Sequence, residues 1–516
     1  MLGLYLGAAA ALALPLHVVA HNTGYTASTG FKACDALLNS GLAEIVVFPE
    51  DVAYTESTSL YYAASNRKLQ PNCIVQPRST YDVSRVVKTL SRVSAAGNWD
   101  IAIRSGGHSD YDNNAVGRGV TIDLSYLRDI KLIENGKAQW TGTSQLTRSV
   151  AQIRPAARWG DVFSYLEKYG LSVTGGRSGH VGVGGLLLSG GASYHIQQFG
   201  ISADNVINYE VVLADGSVVN ANVWTNRDLF KALKGGGSNL GIVTRFDMRT
   251  FTIPSQVYGG MMFTSWADSD KVIDQFVDYT SGITYKGHPD HEFIIYRDDF
   301  GRRSVMVLAV STDGNTDSDN LAPFKNMTLT RNTMSNQSMS RMAASIADAG
   351  GSDYLAFSLV LQSRKDVMEK ARDIFERLTD EIAAENIPAS VNFVFQPFPK
   401  LLAAINPGGN LFGLQNSLPA NSILFESRIT LGADDGEYKG VLSSKLGRAN
   451  QELEAYSISL GGHSSYIYMN YASPEQDVIG SYGRDNVYFL KQTAAKYDPY
   501  GFFQHRVPGG WKVSRV

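Results

Sequence analysis

The chain has 516 residues, a net charge of −3, 44% hydrophobic residues and 18% charged residues. That length supports two or three domains with sizeable cores, and the apolar content excludes disorder by composition. The near-neutral balance gives no whole-chain drive toward nucleic acid or an anionic membrane.

Residues 2–14 form an apolar run followed by Val18-Val19-Ala20, a small-residue cleavage pattern. Residues 1–20 therefore read as a signal peptide, although the positive n-region is missing; a buried N-terminal helix is the alternative. The run is too short to span a bilayer, and no later stretch reaches 18 consecutive apolar residues. The expected destination is the secretory pathway and secretion. Residues 21–68 form an N-terminal segment. The two cysteines, Cys34 and Cys73, read as a disulfide in an exported chain, with two reduced core thiols as the alternative. The sequons at Asn326 and Asn336 fit surface glycosylation.

Val83, Val86, Val87, Leu90 and Val93 fall at helical spacing and predict a helix over 79–97. A strand at 101–103 runs into Arg104-Ser105-Gly106-Gly107-His108-Ser109. A strand at 121–124, a helix over 158–169 and a glycine cluster at 175–191 follow. Residues 206–213 and 217–221 read as a hairpin closed by Asp215-Gly216. A third cluster, Gly235–Gly241, leads into a strand at 242–246. Beyond 253 the glycine clusters thin out. Strands at 292–296, 304–310, 355–362, 390–395 and 422–429 alternate with helices, the clearest at 366–383. Residues 254–460 read as a second α+β domain. The last stretch, 461–516, carries a predicted strand at 466–471 and a helix near 484–497.

The P-loop, the GxSxG elbow, HExxH and CxxC are all absent. His288-Pro289-Asp290-His291 reads as a loop with two exposed histidines, because proline breaks any helix that would align them; no metal is expected. The first glycine cluster is more informative. A strand running into Ser105-Gly106-Gly107 leaves backbone N–H groups free to form an anion nest, and a pyrophosphate is the natural guest. His108 sits on that loop. In the second cluster, Gly182-Val183-Gly184-Gly185 and Ser189-Gly190-Gly191 permit close backbone approach. Leu187 stands where a dinucleotide fingerprint needs glycine.

RSGGHS (104–109), GGRSGHVGVGGLLLSGG (175–191), FGISADNV (199–206), DLFKALKGGGSNLGIVT (228–244), YMNYA (468–472) and YDPYGFFQ (497–504) occur in one order. On these segments the chain resembles the FAD-linked oxidoreductases of the berberine-bridge-enzyme-like branch of the vanillyl-alcohol-oxidase superfamily, closest in texture to fungal secreted and secondary-metabolite members. The resemblance implies an α+β fold. A PCMH-type FAD-binding domain over 69–253 would be completed by the segment 461–516, and 254–460 would hold most substrate contacts.

It also implies that Arg104, Ser105, Gly106, Gly107, His108 and Ser109 wrap the pyrophosphate, with His108 joined covalently to the flavin. Val181, Gly182, Gly185, Ser189, Gly190, Gly191, Ile242, Val243 and Asn470 complete the implied cofactor site. The cysteine through which many members attach the flavin a second time falls at Ser178, so the link is expected through His108 only. Val181 occupies the family position that gates dioxygen, where valine goes with oxidases. In the YxNY segment, strand alternation would send Tyr468 and Asn470 to one face and Met469 and Tyr471 to the other. Tyr471 is the expected catalytic base, with Tyr468 beside it, and a tyrosine base needs its pKa lowered from about 10. Tyr194 and His195, just past the second glycine cluster, are further candidates to face the site and have no family role. The function implied is an oxidase that passes a hydride from a small natural product to flavin N5 and yields hydrogen peroxide from dioxygen. An oxidative cyclase and a carbohydrate oxidase are the alternatives on the same scaffold, and a flavin-storage protein is the non-enzymatic one. A monomer without nucleic-acid or membrane partners is expected.

Overall fold

The computed structural model describes residues 28–95, 97–135, 141–348, 350–462 and 464–516. The expected signal peptide, residues 1–20, lies outside the described residues.

The first sheet holds β1 (Val46–Val47), β2 (Cys73–Val75), β3 (Asp100–Arg104) and β4 (Gly119–Asp123), in the order β1-β2-β4-β3. β4 runs parallel to both β2 and β3. Parallel neighbours need a crossover, and the helix Thr80–Arg92 lies in the connection from β2 to β3. Ser79 caps that helix by accepting from the Asp82 N–H at 3.1 Å, and Val83, Val86, Val87 and Leu90 are buried. Predicted to run to 97, the helix stops at Arg92, and Gly97 takes φ +82° in the turn beyond. A disulfide joins Cys34 to Cys73 at the start of β2, with Cα atoms 6.2 Å apart.

The second sheet holds β5 (Ile130–Ile133), β6 (Leu146–Ile153), β7 (Leu171–Ser172), β8 (Val206–Val212), β9 (Val218–Asn222) and β10 (Ile242–Thr252). Its pairings are antiparallel.

At β11 (Val257–Ser265) the chain passes into a third sheet, with β12 (Asp290–Asp299), β13 (Arg303–Ser311), β14 (Leu329–Asn332), β15 (Ser335–Gln337), β16 (Asp353–Gln362), β17 (Ala389–Phe398) and β18 (Ser422–Leu431). The order is β14-β11-β13-β12-β17-β18-β16, with β15 also paired to β11. Alternation divides its residues between two faces. Ile294, Tyr296, Val305, Val307, Phe393, Phe395 and Phe425 join a core with the helices Ser269–Gly282, Lys365–Ala384 and Lys439–Ser459. Phe293, Ile295, Met306, Leu308, Val394 and Glu426 face a cavity instead.

After residue 464 the chain returns to the first two sheets. Tyr466, Tyr468, Met469, Tyr482 and Leu490 join the core of the second, and Phe502, Phe503 and Val507 that of the first. Arg506 donates to the carbonyls of Ser94, Gly97 and Trp99, while the Ile101 N–H donates to the Arg506 carbonyl at 2.5 Å. The tail then reaches the cavity wall with Gly510 and Trp511.

Two expectations are corrected. No strand forms at 466–471; the segment has no partner strand and closes in a turn in which the Tyr471 N–H donates to the Tyr468 carbonyl at 3.0 Å. The turn cancels the expected alternation and brings the Tyr468 and Tyr471 rings edge to face, 4.9 Å apart. His288 and His291 are buried rather than exposed. Pro289 precedes the first residue of β12, so His291 enters the sheet opposite Val310. Among the described residues no cluster of His, Cys, Asp and Glu is placed to hold a metal, and no helix is long and apolar enough to cross a membrane.

Candidate active site

A cavity of about 830 Å³ lies between the glycine loops and the free face of the third sheet. Ser105 to Ser109 reach it from the end of β3, and Val181, Gly182, Gly185 and Ser189 from the second glycine cluster. Ile242 and Val243 come from the start of β10, and Tyr468, Asn470 and Tyr471 from the C-terminal segment. Glycine is obligatory where the first two loops cross. A Cβ on Gly106 would lie 2.5 Å from the Gly182 Cα, and one on Gly182 the same distance from the Gly106 Cα.

Three residues expected at the cofactor do not reach the cavity. Ile103 faces it, so alternation along β3 turns Arg104 the other way. The Arg104 guanidinium is buried against Asp123 at 2.5 Å and Ser57 at 2.9 Å, 5.1 Å from the Tyr61 ring centre. It anchors the loop from beneath. Gly190 sits against Phe412, Tyr468 and Ile201, and Gly191 against Leu186 and Ser202, both behind Ser189. Tyr194 and His195 are likewise buried outside the cavity, Tyr194 edge-on to Phe293 and His195 beside Phe199 and Phe251.

His108 lies on the cavity wall with its ring 3.8 Å from that of Tyr62, nearly parallel. Tyr62 stacks in turn on Tyr354 at 4.6 Å, and the Arg428 guanidinium lies 4.3 Å from the Tyr354 ring centre. Arg428 pairs with Asp110 at 2.8 Å, and the Tyr62 hydroxyl donates to Asp348 at 2.7 Å. Burial, reinforced by the positive charges of Arg428 and Arg158, pushes the His108 pKa down to about 3. Its imidazole is therefore neutral across the physiological range.

Also on the cavity wall, the Tyr471 hydroxyl accepts from Arg177, and the Gln396 amide donates to it at 3.2 Å. The Arg177 guanidinium also donates to Gln396 at 2.6 Å and lies 4.3 Å from the Phe293 ring centre. Arg177 is thus the cation a phenolate would need. Burial nevertheless outweighs it and holds the Tyr471 pKa above the ordinary tyrosine value. The Tyr468 hydroxyl accepts the Ala192 N–H at 2.8 Å, and burial raises its pKa as well. Asn470 donates to the Ser189 carbonyl at 3.2 Å.

Glu426, on β18, was missed in the sequence. Burial lifts its carboxyl to about 7 against the opposing pull of Arg428. Arg177, Arg428 and Glu426 left a signal. Arg177 interrupts a glycine run, and Glu426 and Arg428 occupy alternate positions as the two charged residues of their strand. Tyr62, Asp348 and Tyr354 left none, because they approach from segments remote in sequence.

The cavity falls in the range of cofactor-sized sites, about 300–1,000 Å³. Among the described residues its wall carries three buried polar atoms without a hydrogen-bond partner: Asn114 Oδ1, Ser178 Oγ and Trp511 Nε1. Open space faces Gly185. These features fit a large polar cofactor that brings donors and acceptors of its own. With a glycine loop, a neutral histidine and a tyrosine–arginine pair on one cavity wall, the site is that of a flavin oxidoreductase.

Residues 71–222 match the family described as FAD binding domain. The FAD-dependent monooxygenase drtC of Aspergillus calidoustus is 32% identical over 498 residues, 94% of this chain and 91% of that protein. The FAD-dependent monooxygenase sdcF of Emericella nidulans is 30% identical over 518 residues, 95% of this chain and 100% of that protein. A berberine bridge enzyme variant solved with (S)-reticuline superimposes with TM-score 0.73 at 15% identity, covering 94% of this chain and 100% of that one. The chain belongs to the family of FAD-dependent oxidoreductases that includes these fungal proteins, and it has the PCMH-type α+β fold seen in berberine bridge enzyme.

Proposed function

We propose that this chain is an exported oxidase, with FAD joined through His108 alone, that takes two electrons from a small natural product at an alcohol, amine or activated C–H carbon. The observation that carries the reading is the neutral His108 imidazole on the cavity wall, stacked on Tyr62. A neutral imidazole keeps the nitrogen lone pair that a nucleophile needs. Ser178 lines the same cavity and offers no thiolate for a second link. When bound, FAD supplies the two-electron acceptor, which dioxygen reoxidises to give hydrogen peroxide.

The chain's own residues orient the substrate and take its proton. Tyr471, fixed by Arg177 and Gln396, donates a hydrogen bond and stabilises developing negative charge. Glu426, with its pKa near 7, is the better base at neutral pH, because burial keeps Tyr471 protonated. Phe293, Ile295, Met306 and Leu308 exclude water around the reacting carbon. Export rests on the apolar run at 2–14, the Cys34–Cys73 disulfide and the exposed sequon residues Asn326 and Asn336.

The test is acid precipitation of the expressed protein. A yellow pellet, with flavin on the peptide containing His108 and free flavin released from His108→Ala, is the expected result. Flavin released from the wild type refutes the covalent link, and a colourless protein that takes up no FAD refutes the oxidase. The names of the two fungal relatives favour a second reading, insertion of oxygen into the substrate. Turnover under ¹⁸O₂ separates them: label in the product supports insertion, and label in hydrogen peroxide alone supports the oxidase.

A further inference from the structure

The free face of the third sheet carries one cross-strand row through six strands. Arg331 on β14 pairs with Phe263 on β11, Phe263 with Met306 on β13, and Met306 with Ile295 on β12. Ile295 pairs with Val394 on β17, and Val394 with Glu426 on β18. All six residues line the cavity. At about 4.8 Å per strand the row extends about 24 Å. Its middle is apolar and aromatic, and its two ends are charged and opposite. Glu426 ends it on the side of Arg177 and Tyr471. Arg331 ends it at the far side.

The two cations on this face beyond Glu426 and Arg428 differ in one respect. Arg297, one row away, is paired with Asp299 at 2.6 Å. The Arg331 guanidinium lies 5.5 Å from the Phe263 ring centre, and among the described residues no carboxylate is paired with it. An arginine held over an aromatic ring at the end of an apolar trough presents its planar fork to a carboxylate or phenolate. The apolar row beside it suits a rigid, ring-containing body.

We propose that Arg331 is a specificity-determining residue, and that the substrate is an elongated aromatic or apolar molecule whose acidic group, remote from the reacting carbon, rests on Arg331. This rests on the oxidase reading above and names the substrate class for the same cavity.

Two fluorescent probes share a scaffold and differ by one acidic group: 8-anilinonaphthalene-1-sulfonate and neutral N-phenyl-1-naphthylamine. Each is titrated into the flavin-loaded protein. The anionic probe should bind about fivefold more tightly or better, the scale of one partly exposed ion pair. Arg331→Gln should abolish that preference and leave the neutral probe's affinity unchanged, which also shows that the variant is folded. Arg302→Gln removes an exposed charge outside the cavity and should keep the preference. A wild type without the preference, or a preference that survives in Arg331→Gln, overturns the assignment while the yellow protein leaves the oxidase reading standing. A protein that holds no flavin overturns both.

Discussion

The floor and the roof of the cavity are built by different means. The floor is backbone: loops at 105–109 and 181–189 that touch only because Gly106 and Gly182 lack side chains, anchored from below by the buried Arg104–Asp123 pair. The roof is side chains, one per alternate position from adjacent strands of one sheet. A floor of this kind holds a constant cofactor, and a single methyl group disturbs it. A roof of this kind is rewritten one residue at a time without touching the fold.

The most severe test of the floor is Gly106→Val. Its side chain would occupy the space of the Gly182 backbone, and the expected outcome is protein without flavin, read from the ratio of 450 to 280 nm absorbance. At the roof, Glu426→Gln should lower the rate of flavin reduction by about 10²–10⁴-fold, the scale of general base catalysis, in anaerobic stopped flow. The wild-type rate should rise with pH through about 7 as the Glu426 carboxyl ionises, and the variant should lose that limb. An unchanged profile would remove Glu426 as the base.

Beneath the floor, Asp123→Asn leaves Arg104 as a buried charge without its counter-ion and should cost about 3–5 kcal/mol in denaturant unfolding. Indifference to that change would show that the floor does not depend on its anchor. Glu426 also gives stability a pH dependence. Its folded pKa lies above the ordinary carboxylate value, so the folded state holds the proton after the unfolded chain has released it. Stability therefore falls as pH rises from about 4.5 to about 7, by an amount of order 3 kcal/mol, and Glu426→Gln should flatten that slope in melts at several pH values. The smallest effect is expected of Tyr471→Phe, about tenfold in the reduction rate with the pH profile kept, since it removes one hydrogen bond to developing charge. A larger loss with an altered profile would return the base to Tyr471.

The same contrast explains what the sequence disclosed. RSGGHS is contiguous because a loop that surrounds a phosphate with its own backbone must be. Periodicity located the roof strands at 292–296, 304–310, 390–395 and 422–429 within a few residues of β12, β13, β17 and β18. Which residues those strands set side by side depends on register, and register is decided by pairing between residues far apart in sequence, as between Ile295 and Val394. Glu426 and Arg428 were therefore visible as charges in a strand but not as neighbours of Arg177. Arg104 misled because motif membership says nothing about side-chain direction, whereas alternation from Ile103 does. The tyrosines at 468 and 471 misled because β-rich residues without a partner strand have no ladder to hold them extended.

The return of the chain's end to the cavity wall has a consequence for biosynthesis. Trp511 and Gly510 complete a wall whose first loop, around His108, is made about 400 residues earlier. At about 5–20 residues per second the ribosome delivers Trp511 some 20–80 s after His108. Until then the first loop lacks that part of its wall, and the turn at 94–99 and the strand that Arg506 clasps lack those hydrogen bonds. The seat for the flavin is thus unfinished until Gly510 and Trp511 have been made, and a chain that stops before Arg506 would lack that part of its wall.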